Sequence, residues 1–165
     1  VAGDSFGGAE RWASKNGPTA WISDPYGPIY YEAHYYCSQG NNAVSFTTYA
    51  AAEADAVSSK GYADLKARVT AEIGDFTSWL AANNAKGFMG EIGWPKTDAA
   101  QWNVIGDHML SLLDAANVGH TQWTAGEAWS IGQPLNLYEG QGAGPITVNP
   151  QAATVEAHPS KLRPR

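Results

Sequence analysis

"KGFMGEIGWP", residues 86 to 95, decides how this chain is read. A glycine-flanked apolar run carries one glutamate, Glu91, in its middle, just before a turn containing Trp94 and Pro95. Such a run is a short buried strand with turn residues around it. Carboxylates are almost never fully buried unless they are paired or put to use. Glu91 is therefore either satisfied by backbone or an arginine, or it is a nucleophile or an acid/base.

The flanks of this strand are helical. Residues 62 to 85 carry Leu65, Val69, Ile73, Phe76 and Leu80, whose spacings of 4, 4, 3 and 4 mark one helix face. Residues 99 to 118 place Trp102, Ile105, Met109 and Leu112 on a second such face. Upstream, "PIYYEAHYY", residues 28 to 36, is rich in β-formers and reads as a strand. "GAERWASKNG" reads as a short helix closed by Gly17, after a strand-like start in "VAGDSFGG". "HTQWTAGEAWS", residues 120 to 130, is the last strand candidate. Residues 38 to 59 are polar and small, and read as a loop insertion. After about Tyr138 the chain turns Gly-, Pro- and Asn-rich, which predicts an extended arm or short edge strand.

The order β-α-β-α-β-α-β predicts four parallel strands joined by helical crossovers. In parallel α/β sheets and barrels, sites form at the carboxyl ends of strands. Those ends carry Asp4 and Ser5, His34 with Tyr35 and Tyr36, Glu91, and Trp123 with Glu127.

Composition bounds the function. The 165 residues suit one domain, with a 44% hydrophobic fraction that argues for a packed core. A net charge of -6 with 10 Lys+Arg argues against a nucleic-acid partner. No run reaches the length of a membrane span. No leader opens the chain, and a processed or excised start would look the same, so secretion stays open. Cys37, the single cysteine, reads as a buried inert thiol. His34, His108, His120 and His158 are scattered, with neither HxxxH nor CxxC, so no metal or other cofactor is expected. No G-x-S-x-G elbow or Walker A pattern occurs. Seven tryptophans and eight tyrosines are enough to serve a carbohydrate site as well as a core, since flat rings stack on the C–H faces of sugars.

Several side chains qualify for chemistry. His34 and Tyr36 stand two apart on a strand and face one side, where both can donate hydrogen bonds to a carboxylate or a sugar hydroxyl. Trp123 at a strand end is either a core indole or the floor of a sugar subsite. Glu127 is a second carboxylate or a rim group. Glycosidases use two carboxylates, about 5 to 5.5 Å apart for retention and about 6.5 to 9.5 Å apart for inversion.

Together these segments resemble the C-terminal half, strands five to eight, of a glycoside hydrolase family 5 (cellulase-like) barrel. "YYEAHYY" resembles the sixth strand with its His-x-Tyr motif at His34 and Tyr36. "GFMGEIGWP" resembles the seventh, whose glutamate, here Glu91, is the nucleophile. "TQWTAGEAW" is similar to the eighth, whose tryptophan platform falls on Trp123, and "VAGDSFGGAERWASKNG" to the fifth with its helix. The resemblance covers residues 1 to 138 and leaves 139 to 165 as a C-terminal extension. It implies half of a TIM (β/α)8 barrel, no cofactor, and retaining hydrolysis of a β-glycosidic bond in an oligo- or polysaccharide. Trp94, Trp129 and Glu127 complete the expected substrate-binding set.

The family's acid/base glutamate lies in an Asn-Glu pair at the end of strand four, and no Asn-Glu dipeptide occurs here. A four-strand half has exposed edges and an open apolar interior. The chain is therefore expected to need strands one to four from a complementary chain, a longer parent, or a second copy in a homodimer. An extracellular setting, secreted or on a cell or virion surface, is the matching expectation. Two other readings remain open: a non-catalytic carbohydrate-binding or structural assembly module, and a barrel chemistry using Glu91 and Glu127 as the carboxylate pair.

Overall fold

The computed structural model describes residues 1–37, 48–140, 142 and 144–159. Three parallel strands form the sheet: β1 (Tyr30–Tyr36), β2 (Lys86–Gly93) and β3 (Gly119–Gln122), in the order β1-β2-β3. α3 (Leu65–Ala82) connects the first pair and α4 (Ala99–Ala115) the second. Asp64 caps α3, accepting the Ala67 N–H at 2.6 Å. All five apolar residues of the helix face read from the spacing, Leu65 to Leu80, are buried.

Two shorter helices precede α3: α1 (Trp12–Asn16) and α2 (Tyr49–Ala54), the latter running into a π turn at Asp55–Ser59. The loop expected over 38 to 59 is thus helical from Tyr49. "YAAAEADA" consists mostly of strong helix formers, and the Thr48 side chain accepts the Ala51 N–H. Residues 38 to 47 of that expected loop lie outside the described residues.

Where a fourth parallel strand was expected at the N-terminus, the described residues form two isolated parallel bridges to β1, Ala2 with Glu32 and Gly8 with His34. Between them Ser5, Phe6 and Gly7 hold φ of 57°, 61° and 64°. Three successive left-handed residues turn the chain off the ladder, leaving its ends beside β1 but no continuous pairing.

The core lies between the sheet and the helices. Tyr31, Ala33 and Tyr35 of β1 and Met89 and Ile92 of β2 point into it. Trp12 meets Phe76, Trp79 and Tyr31 edge-on at 4.6 to 6.5 Å between ring centres. Arg68, fully buried, pairs with Glu72 at 3.1 Å and Asp55 at 3.3 Å, and the Tyr35 hydroxyl donates to Glu72 at 2.8 Å. Desolvation by burial, helped by the Glu72 charge, raises the Tyr35 pKa well above its usual value, so the phenol stays a donor. Cys37 is buried as expected, and burial pushes its thiol up to about 12.

The opposite, inward face of the sheet differs from the apolar interior expected. Glu32, His34 and Tyr36 of β1 occupy it with Glu91 of β2, and the Glu32, His34 and Glu91 side chains are 22%, 32% and 28% exposed. Apolar burial is concentrated on the helix side, so this face can carry charge.

The C-terminal segment packs on the fold. β4 (Tyr138–Glu139) and β5 (Thr147–Val148) form an antiparallel ribbon, and α5 (Gln151–Glu156) lies on α4. Gln151 is buried, its Nε2 donating to the carbonyls of Trp94 at 3.3 Å and Pro134 at 3.1 Å.

Candidate active site

The site begins with an irregularity in β2. Ala33 pairs with Met89, but the next residue, His34, pairs with Glu91. On the other side Met89 pairs with His120, while Ile92, three residues on, pairs with Gln122, two residues on. β2 therefore carries one residue more than either neighbour, at Gly90 or Glu91. In an unbroken strand Glu91 would share the helix-facing side of Met89, two residues earlier. The bulge reverses that parity and aims Glu91 inward.

There the Glu91 carboxylate meets the pair expected from the His-x-Tyr spacing. The Tyr36 hydroxyl donates to Oε2 at 2.8 Å, and His34 Nδ1 lies 3.6 Å from the same oxygen. Burial first, then the hydrogen bond and charge of Glu91, raise the Tyr36 pKa, so its phenol remains protonated and donating. Tyr36 thus holds Oε2, and among the described residues nothing hydrogen-bonds Oε1 of Glu91.

Two residues of this arrangement were missed in the sequence. Glu32 reaches His34, with Oε1 2.7 Å from Nε2. The same two-residue period that selects His34 and Tyr36 also selects Glu32. Gly90 is the other: a Cβ built on it would fall 1.8 Å from Glu32 Oε1.

The tryptophans divide. Trp123 continues the β2–β3 ladder, its N–H donating to the Ile92 carbonyl at 2.8 Å, and its ring is partly exposed. Trp129 meets it edge-on at 4.8 Å, so the two form one aromatic corner. Trp94 belongs elsewhere, which corrects its place in the substrate-binding set. It is fully buried, packs over Gly106 and donates Nε1–H to Asn103 at 3.0 Å, so it has no face to offer a sugar. Glu127 is exposed and accepts the Gly142 N–H at 3.0 Å; among the described residues no hydrogen bond joins it to Glu91.

A cavity of about 370 Å³ lined by Lys86, Phe88, Asp114, His120 and His158 lies toward the amino ends of the strands. It is remote from Glu91. We take the inward face as the candidate site because the convergent polar groups are there, at the carboxyl ends where parallel sheets work.

No family model matches the chain. Endo-β-1,4-glucanase B of Aspergillus niger is 29% identical over 131 residues, covering 78% of this chain and 35% of that protein. Endoglucanase gh5-1 of Neurospora crassa is 28% identical over 136 residues, covering 78% of this chain and 30% of its own length. Among solved structures, an endo-β-1,4-glucanase of Xanthomonas axonopodis pv. citri has a TM-score of 0.71 at 24% identity, over 96% of this chain and 47% of that one. Pseudomonas stutzeri endoglucanase Cel5A, solved with cellobiose, has a TM-score of 0.74 at 23% identity, over 96% and 43%. The chain is thus similar to a fragment of a cellulase-like protein of glycoside hydrolase family 5, with the α/β fold of those neighbours. It spans about a third of the curated relatives it matches, at 35% and 30% of their lengths.

Proposed function

We propose that this chain supplies the nucleophile side of a retaining β-glycosidase acting on β-1,4-linked glucan. The observation that carries the reading is Glu91, aimed onto the inward face by the bulge, with one oxygen held by Tyr36 and the other without a hydrogen bond among the described residues. The kinship with endo-β-1,4-glucanases supports the substrate class.

In this reading Glu91 Oε1 attacks the anomeric carbon and the bond to the leaving oxygen breaks. That oxygen takes a proton from an acid on strands one to four of the complete barrel. Water, deprotonated by the same group, then opens the glycosyl ester and releases Glu91. Tyr36 keeps the carboxylate oriented through its hydrogen bond to Oε2. Trp123 and Trp129 supply the stacking surface under the sugar, with Glu127 at its rim.

The chain would then work within a full barrel, whose remaining strands come from a longer parent, a complementary chain or a second copy. A polymeric glucan does not cross membranes, so the reading puts the working enzyme outside the cell. No helix among the described residues is long and apolar enough to cross a membrane.

A 2-deoxy-2-fluoro-β-cellobioside with a fluoride leaving group tests the reading, because fluoride departs without an acid. Incubated with the complete barrel, it is expected to leave a glycosyl ester on the peptide containing Glu91, read by mass spectrometry. Labelling of another carboxylate would overturn the assignment. Tight cellobiose binding with no label and no hydrolysis would favour the non-catalytic binding module.

A further inference from the structure

We propose that Glu32, held in place by the space above Gly90, is a positioning residue that fixes the ring of His34 toward Glu91; this rests on Glu91 as nucleophile. His34 stands between two carboxylates, with Nε2 2.7 Å from Glu32 Oε1 and Nδ1 3.6 Å from Glu91 Oε2. An imidazole on an open face can flip about its Cβ–Cγ bond and exchange the places of its two nitrogens. Glu32 removes that freedom. A carboxylate 2.7 Å from Nε2 attracts a proton to that nitrogen and so favours the ring orientation in which Nδ1 faces the nucleophile.

Gly90 completes the device. Its would-be Cβ falls 1.8 Å from Glu32 Oε1, 2.7 Å from Cδ and 3.0 Å from Cγ, so the Glu32 side chain lies directly over it. Gly90 is not among the glycines with left-handed φ, so its missing side chain serves space rather than backbone freedom. The extra residue in β2 thus does two things. It turns Glu91 inward and provides the floor on which Glu32 reaches His34.

The test pairs a spectroscopic readout on this chain with kinetics on the complete barrel. Imidazole ¹⁵N spectra of the 165-residue chain are expected to show one slowly exchanging Nε2–H on His34. Glu32→Ala should lose that signal and lower kcat about 10-fold with KM little changed. Glu32→Gln, which keeps an acceptor, should restore most of both. Glu32→Asp, charged but too short, should behave like Ala and serves if the Ala variant fails to fold. Gly90→Ala should reproduce the Glu32→Ala phenotype, and the double variant should be no worse than either single one. An unchanged Nε2–H signal and kcat in Glu32→Ala and Glu32→Asp would overturn the proposal. Full activity in Glu91→Gln would instead overturn the nucleophile reading, while the ¹⁵N spectra would still report whether Glu32 holds the ring.

Discussion

His34 and Glu91 are partners across the β1–β2 ladder although the residues before them, Ala33 and Gly90, are not. The mismatch is what brings the imidazole and the carboxylate to the same side of the sheet. A glutamate two positions after Met89 belongs by parity in the helix-side core, where Met89 and Ile92 are fully buried. One extra residue converts a position that would bury a charge into one that leaves it partly exposed.

Glu91→Gln keeps size and hydrogen-bonding shape but removes the charge of the proposed nucleophile. In the complete barrel the rate is expected to fall by about three orders of magnitude or more, while cello-oligosaccharide affinity survives. Parallel kinetics and calorimetry check this. Retention of full rate would exclude Glu91 as nucleophile.

Tyr36→Phe removes the Tyr36 hydrogen bond to Glu91 Oε2 and leaves the ring in place. A hydrogen bond to a charged group contributes about 1.5 to 3 kcal/mol, so kcat is expected to fall about 10- to 100-fold. The fall should appear in kcat more than in KM, because the phenol orients the carboxylate and not the glucan.

Trp123→Ala removes the proposed stacking face at the end of β3. KM for cello-oligosaccharides should rise about 10-fold, in line with the loss of about 1 to 2 kcal/mol of ring contact. Trp94→Phe should leave KM unchanged, since that indole is fully buried. Equal effects of the two on KM would contradict the division of the tryptophans drawn from the structure.

Gly106→Ala tests packing behind the site. A Cβ there would lie 2.3 Å from the buried Trp94 ring, which has no room to retreat. Overpacking of this kind costs about 1 to 3 kcal/mol, to be measured by urea denaturation of the chain.

His158 gives the α4–α5 contact a pH dependence. Burial works to lower its pKa, but hydrogen bonds to Asp114 at 2.8 Å and Asp107 at 3.1 Å outweigh that and leave it raised. A raised folded value means that protonated His158 stabilises the fold. That contribution is fully present below the ordinary imidazole value of about 6.5 and is lost as pH rises through the folded value. Protection factors of the α5 amides, corrected for the intrinsic pH dependence of exchange, should fall over that rise in the wild-type chain and stay level in His158→Gln.

The helix faces from Leu65 to Leu80 and from Trp102 to Leu112 were legible because burial repeats with the helical period; the structure follows it except at the last position, where Leu113 is buried and Leu112 only partly so. The β1 and β2 motifs were legible because each carries β-formers and a polar end; the strand expected within residues 120 to 130 is a strand only over Gly119–Gln122, where Thr121 is the sole β-former. The bulge was not. Its only mark in the sequence is Gly90, and a lone glycine in a strand does not say on which side the next residue will stand. Trp94 misled because it stands next to the site in sequence, while the chain turns it to the helix side. The N-terminal strand failed because Ser5 and Phe6, without being glycines, adopt left-handed φ there.

The wet inward face has one more consequence. An inward face that carries two carboxylates and an imidazole, each partly exposed, holds water where a leucine-lined one would shed it. Any molecule lying there has to displace that water, and recovers the cost only through hydrogen bonds of its own to the same groups.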